Sequence, residues 1–403
     1  MPKIARSGQD WILDRFIGTL GVNALMPGFM TFMASPIVGF NNADLDYISA
    51  RTKGVASMRE TYRKVGDFRS QLAQAAEKKG YTVTARRHFY YGSLAYGFAQ
   101  YTVQEDRSAL KKELHDKCQE CFAKVIEYAD YPMEKVEIPF VDEPAYDLTS
   151  FPGVLHLPKG KGPFPCVIFI PGTDMHKEQV PNPEDNIFIK RGMAVLALDG
   201  PGQGESLLRM LKVRVDTWNY ERAVSAAIDY LETRPEIDPN RIATFGVSTG
   251  SYWSPRAAIW EARHKNRIKA AGGLAAQWEP HFVTEFEYAQ PNFKSNYMYM
   301  AGENSESAFD SKAHLHDLRQ DIAEITCPIL IVQGEFDELC TPAQVEAILA
   351  NAKAPYEMRI YEDEFHPLGG VAVEAYELSA DWLRDRLDGK PADKSEIIRI
   401  PRL

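Results

Sequence analysis

The 403-residue sequence is 45% hydrophobic and 25% charged, which is typical of a folded globular protein and excludes a disordered chain. Its net charge of −10 at pH 7 argues against nucleic acid and anionic membrane surfaces as partners. The five cysteines are odd in number and lack the spacing of a disulfide framework, so we expect a cytoplasmic protein.

An apolar arm, residues 16–40, contains no charged residue. A membrane span needs roughly 20 apolar residues that can stay helical, but the arm holds two prolines and four glycines. A signal peptide is disfavoured because Asp10 and Asp14 precede the apolar region. We therefore expect no stable membrane insertion, and an irregular arm that packs on the body, on a subunit partner or on the substrate cavity. Packing on a partner would make the protein a homodimer.

Residues 45–130 carry apolar side chains at three- and four-residue steps, which predicts helices, with a break at Gly80. Cys118 and Cys121 have the spacing of half a metal site, but no second pair or histidine cluster accompanies them. We expect a plain helix there, and neither metal nor cofactor. One of the helices carries aromatic side chains that are candidates for a wall of a substrate cavity: Tyr90, Tyr91, Tyr96, Phe98 and Tyr101. We assign residues 1–132 to the arm and a helical cap domain.

From residue 133 onward, short runs of Val, Ile, Leu and Ala alternate with helical segments. Continuously apolar runs are typical of parallel strands buried on both faces, and the alternation indicates βαβ units. We therefore predict an α/β fold, with a mostly parallel central sheet and helices on both faces, over residues 133–390. Residues 275–326 exceed an ordinary loop and are expected to be an inserted cap segment. Residues 391–403 are expected to be a C-terminal tail.

Residues 246–250 read Gly-Val-Ser-Thr-Gly, which fits the G-x-S-x-G pattern of a nucleophile elbow. The preceding strand is predicted to end at Ser248, and functional side chains of parallel sheets gather at the C-terminal ends of strands. The glycines suit the pattern because the strained turn brings neighbouring backbone very close. We therefore predict that Ser248 is a catalytic nucleophile. The alternative is a serine in a βα turn without a catalytic role.

The remaining triad residues are expected in later loops, in the order acid and then histidine. Asp337 directly follows the predicted strand "ILIVQGE", and His366 follows the predicted strand "MRIYEDE". Taken singly, Asp337 has the alternative of a helix cap and His366 that of a surface residue. A serine hydroxyl becomes a nucleophile when an imidazole takes its proton and a carboxylate orients that imidazole. We therefore predict the triad Ser248, Asp337 and His366.

A tetrahedral oxyanion needs two hydrogen-bond donors. The backbone N–H of Thr249, directly after the nucleophile, is the first predicted donor. The loop after the strand "CVIFIPG" is expected to supply the second, and we predict the backbone N–H of Thr173.

Residues 193–206, "MAVLALDGPGQGES", resemble the strand and loop after the fourth strand of α/β-hydrolases. With "PGTDMHKE" before it and a helical region ahead of the sheet, the pattern resembles the 2,6-dihydroxypseudooxynicotine hydrolase-like and fermentation-switch-type esterase-like members, over roughly residues 60–390. The resemblance implies an α/β-hydrolase fold and the same Ser248, Asp337 and His366 triad. It also implies carbon–carbon bond cleavage or ester hydrolysis, and a fungal member shortens a heptaketide naphthopyrone. Many members have a second glycine after the elbow, where this chain has Ser251.

The stretch after the elbow carries Pro255, whose missing N–H cannot bond to the Ser251 carbonyl. We expect a kink or a late start in the following helix. Tyr252 is expected to pack beneath the site, either as a substrate contact or as plain core.

The insertion is rich in aromatic residues, which suits the lining of a cleft for a planar aromatic or polyketide-like substrate. Packing between cap and body is the alternative. The predicted substrate-binding residues are Trp278, Phe282, Phe286, Tyr252 and Glu279. Some members that cleave carbon–carbon bonds use an extra acidic residue, for which Glu279 and Glu285 are loose matches whose alternative is ordinary solvated surface.

Two chemistries share one triad, and the sequence leaves both open. The first is hydrolysis of an acyl carbon–carbon bond in an aromatic or polyketide-like ketone, which is favoured by the aromatic insertion and the resemblance. The second is ester, thioester or lactone hydrolysis. A catalytically silent fold that binds a ligand is a remote third alternative. In each case the expected partner is a small molecule.

Overall fold

The computed structural model describes residues 10–21, 28–142, 148–173 and 175–402. Before the sheet, the chain forms helices α1 (Asp10–Leu20), α2 (Phe29–Ala34), α3 (Asn42–Arg51), α4 (Val55–Glu77), α5 (Thr82–Tyr101) and α6 (Ala109–Glu127). In the described part of the chain, no helix is both long and apolar enough to cross a membrane.

Residues 28–40 of the apolar arm pack on the body of the molecule. The Tyr90 hydroxyl lies 2.6 Å from the Val38 carbonyl and 3.1 Å from the Gln179 carbonyl. The Asn182 side-chain amide donates to the Pro36 carbonyl at 2.6 Å. At Gly28 the backbone abuts Gly369 so closely that a Cβ atom on Gly369 would collide with the Gly28 carbonyl. Of the three expected positions of the arm, packing on the body is therefore the one that these residues adopt, while residues 22–27 lie outside the described residues.

Helix α5 is buried on almost all sides, because α4 and α6 flank it and the sheet lies beneath it. A glycine of α4 permits close approach to α5, because a Cβ on Gly66 would lie 2.7 Å from the Tyr96 ring. Tyr96 and Phe98 pack among helices and arm, which excludes them from an open cavity wall. The division into a helical domain and a core at residue 132 stays a prediction.

The described residues form one sheet of nine strands in the order β1-β2-β4-β3-β5-β6-β7-β8-β9. The strands are β1 (Met133–Pro139), β2 (Ser150–His156), β3 (Phe164–Ile170), β4 (Ala194–Leu198), β5 (Ile237–Val247), β6 (Ile268–Leu274), β7 (Ile329–Gly334), β8 (Tyr356–Tyr361) and β9 (Glu396–Ile400). The β1–β2 and β2–β4 pairs are antiparallel, and all other pairs are parallel. The predicted α/β architecture is confirmed.

The remaining helices are α7 (Ile187–Lys190), α8 (Gly204–Leu208), α9 (Asn219–Glu232), α10 (Thr249–His264), α11 (Pro291–Ala301), α12 (Glu306–Ala313), α13 (Pro342–Leu349) and α14 (Ala372–Leu387). Alternate residues of β3 enter different cores, as the pleat requires. Ile168 packs with α9 and α10, whereas Phe169 packs with α5 and α14.

The C-terminal segment differs from the expected tail. Residues 396–400 form β9, which pairs in parallel with β8 at the edge of the sheet. Its side chains alternate between half-buried and exposed, as on an edge strand with one covered face. The segment "EIIRI" carries that alternation over only five residues, too few to distinguish it from a tail by sequence.

Candidate active site

Ser248 occupies a strained turn between β5 and α10. Its backbone has φ 55° and ψ −125°, a conformation unusual for a residue with a Cβ atom. A Cβ on Gly246 would collide with the Gly250 carbonyl, and a Cβ on Gly250 would collide with the Ile170 carbonyl. Both glycines are therefore required by close backbone approach, as the sequence predicted.

Ser248, His366 and Asp337 form a chain of hydrogen bonds. The Oγ of Ser248 lies 2.9 Å from Nε2 of His366, and Nδ1 of His366 lies 2.9 Å from Oδ2 of Asp337. The Asp337 and His366 side chains are buried at the ends of β7 and β8. The fold thus brings together three residues that are separated by 89 and 29 positions in the sequence.

The Asp337 carboxylate is fixed by its own loop. Its Oδ1 accepts from the Leu339 and Cys340 backbone N–H groups at 3.0 and 3.1 Å. Because Oδ1 is engaged by the backbone, Oδ2 is held toward His366, which selects the tautomer with a proton on Nδ1.

The electrostatics around His366 favour its protonated form. Burial lowers the pKa of His366, but the charge and the hydrogen bond of Asp337 raise it. The charges of Glu338 and Glu285 act in the same direction, so that the pKa of His366 lies at about 9. The neutral imidazole required of a general base is therefore favoured as the pH rises through that value.

The predicted oxyanion residues, Thr173 and Thr249, contact each other. Their hydroxyl groups form a short hydrogen bond beside the elbow. Gln203 supports this loop, because its side-chain amide donates to the Pro171 carbonyl at 2.8 Å and accepts from the Tyr220 hydroxyl. The sequence did not single out Gln203; the signal available was its place within "DGPGQGES".

A buried ion cluster joins the loops after β3 and β4. The Lys177 ammonium is fully buried and lies 2.8 Å from Asp199, 2.6 Å from Glu178 and 3.2 Å from Glu205. The carboxylates raise the pKa of Lys177 in spite of its burial. Removing one member would leave an unpaired charge in the interior, so the cluster fixes the two loops relative to each other.

One group of side chains among the described residues has the geometry of a metal site. Cys118, His176 and Glu178 offer ligand atoms within 4.8 Å of one another. Glu178 is already engaged by Lys177 and by Nδ1 of His176, at 2.6 and 2.7 Å. Because a neighbouring ammonium disfavours a cation and the carboxylate has protein partners, the group is explained by internal hydrogen bonding. Cys121 is also buried on α6.

Helix α10 begins at Thr249, directly after Ser248, so the expected late start is wrong. Pro255 lies inside the helix and leaves the Ser251 carbonyl without its usual N–H donor. The indole N–H of Trp278 donates to this carbonyl at 2.9 Å and so replaces the missing bond. Trp278 is buried and serves the elbow helix in this way.

The aromatic residues predicted to bind substrate pack with one another. Tyr252 lies 4.9 Å from Phe282, and Phe282 lies 5.6 Å from Phe286, measured between ring centroids. All three are buried, and His316 closes the cluster through contacts with each of them. These contacts match the alternative of packing between cap and body. A substrate role for these rings stays a prediction.

Glu279 and Glu285 are both buried, which contradicts ordinary solvated surface. Glu279 accepts from the Thr284 backbone N–H and hydroxyl and from the Gln344 amide, so it ties the insertion to α13. Glu285 accepts from the Gln277 amide at 2.7 Å, and its charge contributes to the raised pKa of His366. Of the two, Glu285 is the carboxylate whose charge acts on the predicted base.

A cavity adjoins the predicted oxyanion residue Thr173 and lies between α5, α6, α11 and the loops after β3 and β4. Its lining includes Gly97, Gln100, Lys111, Thr173, Gln203 and Asn296. Tyr101 also lines it, so one of the five aromatic residues expected at a cavity wall is found there. Of the predicted substrate-binding residues, none is part of this lining.

The sheet topology, with a serine elbow after β5 and acid and histidine loops after β7 and β8, defines an α/β-hydrolase. The sequence model of the prolyl oligopeptidase family matches residues 182–390, just over half of the 403 residues. The chain belongs to that family.

Two curated relatives match most of the chain. The 2,6-dihydropseudooxynicotine hydrolase of Paenarthrobacter nicotinovorans is 26% identical over 329 residues, which cover 79% of this chain and 82% of that protein. The esterase FrsA of Klebsiella pneumoniae is 24% identical over 331 residues, which cover 78% and 74%. Both relatives are hydrolases, and this protein is a hydrolase.

A solved structure, that of the 2,6-dihydroxy-pseudo-oxynicotine hydrolase, has a TM-score of 0.76 with 21% sequence identity. The structural similarity covers 91% of this chain and 98% of the chain of that structure, so the two proteins share the fold. The resemblance inferred from the sequence motifs is confirmed.

Proposed function

We propose that this protein is a serine hydrolase that cleaves an acyl carbon–carbon bond in an aromatic or polyketide-like ketone. Ser248 is the proposed nucleophile, His366 the general base and Asp337 the residue that orients the base. The observation that carries the proposal is the chain of two 2.9 Å hydrogen bonds from Ser248 through His366 to Asp337. A serine without such a base is a weak nucleophile.

In the first step, the Ser248 Oγ bonds to the substrate carbonyl carbon while its proton passes to Nε2 of His366. The negative charge that develops on the carbonyl oxygen is stabilised by the proposed donors, the backbone N–H groups of Thr173 and Thr249. The tetrahedral intermediate then collapses. Its bond to the leaving carbon breaks, the electron pair leaves with that carbon, and His366 returns the proton to it.

In the second step, water takes the place of the leaving group. His366 accepts a proton from the water as its oxygen bonds to the acyl carbon, and the acid is released as Ser248 regains its proton. The sum of the two steps is ketone plus water giving a carboxylic acid and a protonated carbon fragment. Neither an oxidant nor a metal is required to balance this reaction.

Two observations favour a carbon leaving group. The relative with 26% identity is named for hydrolysis of a pseudooxynicotine. In addition, Glu285 is a buried carboxylate whose charge raises the pKa of His366. A raised pKa keeps the imidazolium protonated until it can donate its proton to a poor leaving group.

The second candidate function is hydrolysis of an ester, thioester or lactone by the same triad. It is favoured by the relative named as an esterase. An oxygen or sulfur leaving group is a weaker base than a carbanion, so this reaction demands less of the acid at His366.

The test has two stages. A fluorophosphonate probe should label the wild type and fail to label Ser248→Ala, while Ser311→Ala, an exposed serine of α12, serves as the control. Turnover of benzoylacetone to benzoate and acetone is then compared with turnover of phenyl acetate. Absence of labelling and of any turnover would refute the hydrolase mechanism, whereas turnover of the ester alone would select the second candidate.

A further inference from the structure

The cavity beside Thr173 is lined by buried polar side chains. Its walls come from α5 and α6, from the loops after β3 and β4, and from α11. Thr173 is a wall of the cavity and contacts Thr249 beside the nucleophile. A ligand in the cavity therefore lies on the oxyanion side of Ser248.

Lys111, on α6, brings a buried ammonium group to this cavity. Only 6% of the residue is exposed, and its Nζ donates to the Val103 carbonyl at 2.9 Å. Its Nζ also lies 4.6 Å from the centroid of the Tyr299 ring. Among the described residues no carboxylate forms an ion pair with Lys111, which sets it apart from the buried Lys177 with its three carboxylates.

Lys212 lies over the same ring but, unlike Lys111, is paired with a carboxylate. Its Nζ lies 4.3 Å from the Tyr299 centroid and is bonded to Asp106 at 2.5 Å. Burial, together with the charge of Lys212, lowers the pKa of Lys111 to about 7. An anion beside Lys111 would reverse this effect by favouring its charged form.

Gln100, on α5, supplies a second unpaired group. It is 4% exposed, and neither the oxygen nor the nitrogen of its amide has a hydrogen-bond partner in the described part of the chain. A buried amide without partners is energetically costly, and a bound polar group would offset that cost. Gln100 and Lys111 line the same cavity, so both are available as donors to one ligand.

We propose that this cavity binds an anionic oxygen of the substrate, a carboxylate, phenolate or enolate, through Lys111 and Gln100. The proposal rests on the proposed function, because it assigns this oxygen to the molecule whose carbonyl Ser248 attacks. The preferred substrates are then acidic, and the buried ammonium offsets their charge in a protein whose net charge is −10.

The first test compares 4-acetoxybenzoate with its neutral methyl ester in the wild type, Lys111→Met, Gln100→Leu and Lys112→Met. Lys112 is the control because it lies next to Lys111 on α6 but is exposed and paired with Asp116. The wild type and the control should prefer the anion in kcat/KM. In Lys111→Met, kcat/KM for the anion should fall by roughly 10–100-fold because KM rises, while kcat/KM for the neutral ester should change little. In Gln100→Leu, kcat/KM for the anion should fall by a smaller factor.

A structural role for Lys111 would give a different result. Because methionine removes an unpaired buried charge without changing the volume greatly, Lys111→Met should keep or raise the melting temperature. An equal loss of kcat/KM on both substrates, or no preference of the wild type for the anion, would overturn the proposal.

A binding measurement separates this proposal from the proposed hydrolase function. Calorimetry with Ser248→Ala should show binding of benzoate or of 4-nitrophenolate, weaker binding of benzamide, and loss of the anion binding on adding Lys111→Met. Binding of benzoate identifies a carboxylate site, and binding of 4-nitrophenolate identifies a phenolate or enolate site. Absence of binding by both anions overturns the proposal even if esters are hydrolysed. Anion binding without any turnover would retain the anion site but overturn its assignment to a substrate of Ser248, because the hydrolase mechanism then fails.

Discussion

The triad loops and the insertion at residues 275–326 both follow the C-terminal ends of strands in one sheet, but their side chains are held differently. Ser248 sits on a strained backbone, and His366 is surrounded by carboxylates. In the insertion, the uncharged rings of Phe282 and Phe286 contact other aromatic rings. The first region combines backbone strain and charge at the proposed triad, whereas the rings of the second act through packing and Glu285 is the residue of the insertion whose charge acts on His366.

The largest expected effect is on the triad. Asp337→Asn should lower kcat by about 10⁴-fold, because the amide no longer selects the correct tautomer of His366. Stopped assays at saturating substrate measure the change in kcat. Asp363→Asn is the control, because Asp363 lies in the turn after β8. A loss below tenfold would mean that Asp337 does not orient the base and would remove the contrast between the two regions.

A substitution in the insertion should act on stability. Phe286→Ala should lower the free energy of unfolding by about 3–5 kcal/mol, because it empties a well-packed aromatic site. Phe286→Leu should cost less and leave KM unchanged. Urea denaturation and steady-state kinetics on the same samples test both statements, and a change in KM with unaltered stability would instead make this ring a substrate contact.

A smaller effect is expected at the junction of the two regions. Trp278→Phe should cost about 1–3 kcal/mol, because the Ser251 carbonyl is left without a donor. Adding Pro255→Ala restores the helical N–H, so the double variant should be less destabilised than the sum of the single changes. Additive losses in thermal unfolding would show that the indole does not replace the missing bond.

The smallest expected effect is a shift in pH dependence. Glu285→Gln removes a negative charge that raises the pKa of His366, so that pKa should fall. The rise of kcat/KM with pH should then move by about one unit or less toward lower pH. Glu287→Gln is the matched control because Glu287 is half-exposed and paired with Lys294. No shift, or an equal shift in the control, would remove Glu285 from the electrostatics of the base.

The same raised pKa has a consequence for folding. A histidine whose pKa is higher in the folded than in the unfolded protein stabilises the fold below its unfolded value of about 6.5. That contribution is lost as the pH rises through about 9. In Glu285→Gln, the pH at which this stabilisation is lost should be lower than in the wild type.

The meeting of Ser248, Asp337 and His366 could be predicted from sequence because each follows a strand whose apolar run is easy to recognise, and parallel strands present their C-terminal ends on one side. Their catalytic roles stay a proposal. The role of Trp278 could not, because the carbonyl that it pairs with is 27 residues away and becomes free only through Pro255. Enrichment in aromatic residues is equally typical of a cavity wall and of close packing, so the pattern of the insertion could not separate the two.

Lys111 and Gln100 show a different limit. Lys111 lies on the amphipathic helix α6 and Gln100 on α5, which is buried on almost all sides. A single lysine or glutamine on either helix gives no sign in the sequence of what it faces. Whether these two residues line the same cavity as Thr173 depends on how the helices pack on the sheet. The homodimer and the cytoplasmic location expected from the sequence stay predictions.

The contact of Gly28 with Gly369 places the arm against the loop that carries His366, while the Pro36 carbonyl accepts from Asn182 in the segment after β3 and the Val38 carbonyl accepts from Tyr90 of α5. We therefore expect local opening of the His366 loop to disturb the arm as well. The rates of amide hydrogen exchange in residues 364–370 and in α2 are expected to be similar and to change together when the arm is destabilised. Residues 28–40 are thus expected to influence how often His366, the proposed base, becomes exposed to solvent, although none of them belongs to the proposed triad.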